Sequence, residues 1–105
     1  MTEAQLQTVC IDLAHVYGWR LAHFRPAMTK RGEWRTPVSG DGKGFPDFLL
    51  LKPNKIVAAE LKATGGKATQ DQLDWLLAFR SAGVPAYIWT PKEWADGSIL
   101  QVLQG

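Results

Sequence analysis

The chain has 105 residues, of which 46% are hydrophobic and five are tryptophan, so we expect one globular domain over residues 1–105 rather than a disordered chain. No segment approaches the roughly 18 consecutive apolar residues of a membrane span, and the N-terminal residues lack a signal-peptide pattern, which predicts a cytoplasmic protein without membrane association. The single cysteine, Cys10, excludes an internal disulfide, and its place in an apolar helical stripe predicts a core residue.

The net charge of +2 is unevenly distributed along the chain. Between residues 23 and 44 the basic side chains outnumber the acidic ones. These basic residues are Arg25, Lys30, Arg31, Arg35 and Lys43. Such a segment could bind a polyanion such as DNA, or it could be a solvated loop, and its charge alone leaves both interpretations open.

The apolar spacing predicts a first helix over residues 2–17, with Cys10 and Val16 among its apolar positions and Gly18 as its stop. Thr2 with Gln5 fits a capping box at its start. Residues 19–24 are typical of a short strand, and the basic segment follows as a loop.

Two strands are predicted next, over residues 45–51 and 56–61, joined by the Pro53-Asn54 turn. A flexible Gly-containing link then leads to the second helix. Its apolar side is predicted from the positions of Leu73, Leu76, Leu77 and Phe79.

The second helix is expected to begin at Thr69, with Gln72 in the capping-box position, and to end at Gly83. A fourth strand is predicted over residues 84–90. A short helix capped by Thr90 and a further turn or two over residues 98–103 complete the order. This order predicts an α/β fold with a small mixed sheet flanked by helices.

Acidic and basic side chains occupy the ends of the two central strands. Glu60 and Lys62 lie two residues apart and therefore project to the same face of a strand. Counting outward from the Pro53-Asn54 turn places Asp47 opposite Glu60, provided that the register follows from the turn length. Two facing carboxylates repel, and a divalent cation such as Mg²⁺ or Mn²⁺ would remove that repulsion.

At these residues the sequence resembles the PD-(D/E)XK nuclease superfamily, with Pro46-Asp47 and Glu60-Leu61-Lys62 as the two parts of its motif. It resembles more narrowly the compact, stand-alone members of the VRR-NUC family. Similar stretches are "GFPD", "AELK", "TQDQLDWLLAFRSAG" and "YIWTPKEWADGSILQVL". The resemblance implies a restriction-endonuclease-like αβββαβ core and a metal-dependent nuclease acting on DNA.

The resemblance also implies roles for individual residues. Asp47, Glu60 and the Leu61 carbonyl would be metal ligands, and Lys62 would position the attacking water. Glu3 matches the acid of the first helix that contacts the metal shell, although any helix favours an acid at its start. Its place three residues before Leu6 predicts that it points toward the core.

Four further interpretations stay open at the level of sequence. Gln72 matches a glutamine that helps to place the nucleophile or the lysine, but it could simply cap its helix. His23 lies where relatives often place a histidine, yet a lone histidine is more often structural. Trp34 could stack on a base or attach its loop to the core. Trp89 belongs either to the core or to an exposed surface.

The function that this pattern favours is a Mg²⁺- or Mn²⁺-dependent, structure-selective DNA endonuclease. Relatives imply a homodimer that acts on branched DNA, similar to a Holliday junction resolvase. The alternatives are a nuclease of another selectivity, such as a flap or restriction-like enzyme, and a DNA-binding module without catalysis. The intact set of two acids and a lysine argues against the module, because clustered negative charge does not help to bind phosphates.

Overall fold

A computed structural model describes residues 1–24, 30, 32 and 38–105, together with the backbone of residues 27–28 and 34–35. The helices are α1 (Glu3–Val16), α2 (Gln70–Ser81), α3 (Pro91–Ala95) and α4 (Ser98–Gln104). The strands are β1 (Arg20–His23), β2 (Ala27–Met28), β3 (Trp34–Arg35), β4 (Phe48–Lys52), β5 (Lys55–Leu61) and β6 (Ala86–Trp89).

Four of the strands form one mixed sheet in the order β1-β4-β5-β6. The first three are antiparallel neighbours, and β6 runs parallel to β5. The predicted α/β class and the small mixed sheet flanked by helices are thereby confirmed.

The hairpin between β4 and β5 has the register that its turn predicts. Lys52 pairs with Lys55 across the turn, and Phe48 pairs with Ala59 at the far end. Asn54 adopts a positive φ of 63°, a conformation that asparagine tolerates better than most residues. The tight turn therefore determines which residues of the two strands face each other.

Helices cover both faces of the sheet. On one face, Leu6 and Cys10 of α1 pack with Leu50 and with Leu103 of α4. On the other face, Leu76 of α2 packs with Ala58 and Ala86. Cys10 is buried, which confirms it as a core residue, and burial raises the pKa of its thiol to about 12. Trp89 is also buried.

Both longer helices begin with the predicted capping boxes. In α1, Thr2 and Gln5 exchange hydrogen bonds between side chain and backbone. In α2, Thr69 and Gln72 do the same. These bonds satisfy amide groups that the first turn of a helix leaves without a partner.

Three predicted apolar contacts are wrong. Val16 is 74% exposed, because α1 meets the sheet along the line of Leu6, Cys10 and Ala14, and Val16 lies to the side of that line. Leu73 and Leu77 are 37% and 56% exposed, because α2 meets β5 and β6 through a narrow strip around Leu76.

The basic segment also differs from the predicted loop, since its β2 and β3 pair as a two-stranded antiparallel sheet.

In the part of the chain that the structure describes, no helix combines the length and the apolar character needed to cross a bilayer.

Candidate active site

Asp47 is the residue directly before β4. Hydrogen bonds hold both its backbone and its side chain. Its carbonyl oxygen accepts a hydrogen bond from the Phe24 amide at 2.8 Å. Its carboxylate atom Oδ2 accepts another from the Leu61 amide, also at 2.8 Å. Because Phe48 pairs with Ala59, the next position along the hairpin brings Asp47 opposite Glu60, as the turn length predicts.

Glu60 lies near the end of β5 and is only 3% exposed. It shares the face of Ala58, which packs against α2. The pKa of its carboxyl group is raised to about 9. Burial is the largest cause, and the hydrogen bond with Asp47 and the negative charge of Asp47 act in the same direction. Glu60 therefore holds a proton at neutral pH when no cation is present.

One oxygen of this carboxyl group has no hydrogen-bond partner. The atom is Oε2 of Glu60, which is fully buried and has no partner among the described residues. A buried acceptor without a partner costs on the order of 1–3 kcal/mol. A strained position, a catalytic role or a bound water or ion can account for such a group, and a cation would supply the missing partner here.

Lys62 follows β5 directly and is half-buried. Its amide donates a hydrogen bond of 2.9 Å to the Trp89 carbonyl, which continues the pairing of β5 with β6 by one residue. Its positive charge lowers the pKa of Glu60. The ammonium group is therefore within electrostatic reach of the carboxylate pair, as predicted from the spacing.

The donor set fits a hard divalent cation. Asp47 and Glu60 carry the carboxylate oxygens of the site, and one of these oxygens has no hydrogen-bond partner within the described part of the chain. Among the described residues, no three His, Cys, Asp or Glu side chains form a group that could hold a metal ion. Carboxylate oxygens are ligands that hard divalent cations prefer.

Glu3 lies at the start of α1, and its side chain is exposed rather than buried. The negative charge of Glu3 nevertheless raises the pKa of Glu60, which places the two within electrostatic reach. Its role as a metal ligand stays a prediction.

Gln72 is engaged in capping α2. Its side-chain oxygen accepts a hydrogen bond of 2.9 Å from the Thr69 amide, and its own amide donates to Thr69 Oγ1 at 3.2 Å. The capping interpretation is therefore confirmed. The side-chain nitrogen is not used in this capping box, so a second role for Gln72 stays a prediction.

His23 packs on the α1 side of the sheet. Gln7 Nε2 lies 2.7 Å from His23 Nδ1, and the imidazole ring makes an edge-to-face contact with Phe48 at 5.1 Å. Phe48 belongs to the cluster under α1, whereas Glu60 faces α2. These contacts support the structural interpretation of His23.

The predicted DNA-binding residues are described only in part. Arg25 and Arg31 lie outside the described residues, as do the side chains of Arg35 and Trp34. Lys30 is exposed. Lys43 is exposed as well and forms a surface ion pair of 3.4 Å with Asp71.

Contacts around Gly44 could not be predicted from the motif pattern. Gly44 has a φ of 82°, and a Cβ atom there would lie 2.6 Å from the carbonyl carbon of Asp71 and 2.7 Å from the Gln72 amide. The segment before Asp47 therefore packs directly on the first turn of α2. The "GFPD" stretch contains this glycine, but only the packed structure shows what it contacts.

A small mixed sheet with a buried glutamate, a half-buried aspartate opposite it and a neighbouring lysine at the ends of its two central strands defines a nuclease domain of the PD-(D/E)XK type. The model of the VRR-NUC domain family matches residues 26–92 of the chain. The chain belongs to this family, which confirms the resemblance predicted from the sequence. Neither the curated proteins nor the solved structures contain a match.

The matched range includes the central residues of the site. Asp47, Glu60, Lys62 and Gln72 all lie within it, whereas Glu3 lies before it. Membership supports a nuclease, that is, a hydrolase that acts on DNA. Nucleases of this type generally use divalent metal ions, which agrees with the carboxylate pair.

Proposed function

We propose that the protein is a Mg²⁺- or Mn²⁺-dependent endonuclease that recognises branched DNA and cleaves it in the manner of a Holliday junction resolvase. The single observation that supports the metal dependence is the Asp47–Glu60 pair, in which Glu60 is buried and its Oε2 atom has no partner among the described residues. The family supports the nuclease activity. The preference for branched DNA is supported by resemblance to stand-alone relatives.

Asp47 and Glu60 would hold the cation, together with the Leu61 carbonyl. The Leu61 amide keeps Asp47 Oδ2 in place, so one residue of β5 would serve both the ligand and the metal. When bound, the cation would bind the scissile phosphate and lower the pKa of a water molecule.

Lys62 would orient the attacking water through its Nζ atom, or stabilise the negative charge that develops on the phosphorus substituents. Its backbone is held by the Trp89 carbonyl, and its side chain shares the face of Glu60. Glu3 would contact the metal shell through water, and the Gln72 side-chain nitrogen would help to place the nucleophile or the lysine. No covalent enzyme intermediate is needed for this hydrolysis.

Phosphate contacts would come from the basic residues of the segment 23–44. They are Arg25, Lys30, Arg31, Arg35 and Lys43. The exposed ion pair of Lys43 with Asp71 contributes little stability, so its ammonium group can exchange Asp71 for a phosphate. Phosphate contacts carry no sequence information, which suits an enzyme that recognises the shape of DNA.

A panel of DNA substrates tests the selectivity. The four-way junction, a flap and a linear duplex would share one sequence and be incubated with Mg²⁺ or Mn²⁺, with EDTA as the control. We expect the junction to be cut at least about tenfold faster than the duplex, because a linear duplex cannot make the protein contacts that form only on the branched DNA.

Each other outcome of this panel has a definite meaning. Equal cleavage of duplex and junction contradicts the resolvase proposal and favours a restriction-like enzyme, whereas preferred cleavage of the flap favours a flap nuclease. Binding of DNA without any cleavage in either metal favours the non-catalytic module.

Homodimer formation is part of the proposal, since two active sites related by a two-fold axis would cut paired strands symmetrically. We expect sedimentation equilibrium at tens of micromolar protein to give about twice the mass of the 11.7 kDa chain. A monomer at that concentration, with junction cleavage linear in protein concentration, contradicts the dimer.

A further inference from the structure

The segment 41–47, which ends in Asp47, is attached to α2 by several contacts that the proposed chemistry does not use. The Trp75 indole Nε1 donates a hydrogen bond of 3.0 Å to the Asp41 carbonyl. The Phe45 ring contacts the Trp75 ring edge-to-face at 5.0 Å. Trp75 therefore contacts this segment at two separate places.

Phe45 is the centre of an aromatic cluster. Besides Trp75, its ring contacts Phe24 at 4.9 Å and Phe79 at 5.9 Å, both edge-to-face. Such contacts contribute roughly 0.5–1.5 kcal/mol each beyond the burial of area. The cluster holds Phe45 between α2 and the residue that follows β1.

Little freedom remains between Phe45 and Asp47. The intervening Pro46 is fully buried, and its ring restricts φ. Asp47 itself is bonded to Phe24 and Leu61. Because Pro46 allows little rotation, a displacement of Phe45 would move the Asp47 backbone against these two hydrogen bonds.

Gly44 shows how closely the segment approaches the helix. Its positive φ and the 2.6 Å from a built Cβ to the Asp71 backbone leave no room for a side chain. This approach occurs at the first turn of α2, which carries Gln72.

We propose that Trp75 is a positioning residue for the metal site: through Asp41 and Phe45 it holds the segment 41–47 on α2 and thereby sets the place of the Asp47 carboxylate relative to Glu60. This role rests on the proposed Asp47–Glu60 metal site. In this role Trp75 acts through the Asp47 ligand and not by its own contact with the cation. Its effect is on metal affinity, because a ligand held out of place binds a cation more weakly.

The test measures Mn²⁺ binding by calorimetry and thermal stability of the same variants. Trp75→Phe keeps a ring against Phe45 but removes the hydrogen bond to Asp41, and Gly44→Ala forces the segment away from α2. We expect the Kd for Mn²⁺ to rise about three- to tenfold in Trp75→Phe and about tenfold or more in Gly44→Ala.

Trp94→Phe is the matched control, because Trp94 packs against the cluster on the other face of the sheet. It should lower the melting temperature without changing the Kd. In addition, saturating Mn²⁺ should restore the cleavage rate of Trp75→Phe, since the metal ligands and Lys62 are intact, whereas it should not restore Lys62→Ala.

Two negative results can be distinguished. If the wild-type protein binds no Mn²⁺, the proposed metal site is wrong and the role of Trp75 is wrong with it. If the wild type binds Mn²⁺ and the folded Trp75→Phe variant binds it equally well, only the positioning role is overturned. The Trp75→Phe measurement decides between these results even if Gly44→Ala fails to fold.

Discussion

Lys62→Ala should reduce DNA cleavage by about 10²–10⁴-fold, which is the usual contribution of a positioned group that acts on the attacking water. The Kd for Mn²⁺ should change far less, by under about tenfold, because the proposed ligands Asp47 and Glu60 are intact in this variant. The measurements are single-turnover cleavage at saturating Mn²⁺ and calorimetric titration of the metal.

Two further variants make this prediction specific. Lys67→Ala removes the same charge from an exposed position between β5 and α2 and should retain cleavage. Lys62→Arg should not restore it, because a planar guanidinium cannot replace a compact ammonium group. Wild-type cleavage by Lys62→Ala would remove Lys62 from the proposed chemistry.

Glu60→Gln should make the metal-free protein more stable at pH 8 while abolishing metal binding and cleavage. The pKa of Glu60 is raised from 4.5 to about 9 in the folded protein. Between these values the folded state binds more protons than the unfolded state, so the free energy of unfolding falls as the pH rises. A neutral glutamine removes this loss.

Thermal unfolding in EDTA at pH 5 and pH 8 measures the effect. We expect the melting temperature of Glu60→Gln to exceed that of the wild type at pH 8 by several degrees. In a domain of this size, each kcal/mol of stability corresponds to a shift of roughly 4–8 °C. The difference should be much smaller at pH 5, where Glu60 is protonated in the folded protein and partly so when unfolded. Asp12→Asn, an exposed loss of one negative charge, should show no such pH-dependent gain.

Addition of Mn²⁺ provides the second half of this prediction. The cation should raise the melting temperature of the wild type at pH 8 by binding the folded state, and its binding should release the Glu60 proton. Mn²⁺ should leave the melting temperature of Glu60→Gln unchanged. In EDTA, the wild type should lose stability between pH 5 and pH 8 compared with Glu60→Gln. If it does not, the buried, protonated state of Glu60 is contradicted.

The combination of stability loss and function is typical of active sites. The proposed metal site gives these two carboxylates a role that does not depend on stabilising the fold. In that site, the free energy that the metal-free protein loses at Glu60 would be recovered when a cation neutralises the pair.

Local features of this protein could be predicted from the sequence. The Thr2 and Thr69 capping boxes depend on residues three apart, and the register that brings Asp47 opposite Glu60 depends on a two-residue turn. Hydrogen bonds within a few residues and the alternation of a strand determine these features. The acid pair and the neighbouring lysine were therefore predictable.

Other features were decided only by packing between distant parts of the chain. The exposure of Leu73 and Leu77 depends on how narrowly α2 meets the sheet, and the approach of Gly44 to Asp71 depends on where that helix lies. A sequence pattern shows which residues are apolar, but not how much of each face a neighbouring element covers.

The raised pKa of Glu60 belongs to this second group. The sequence by itself determined that two carboxylates would meet at the ends of β4 and β5. The tertiary structure decided that Glu60 would be buried beneath the α2 side of the sheet with one oxygen unpartnered among the residues described. The reason is that pairing is set by local geometry, whereas desolvation depends on every element that excludes water from the group.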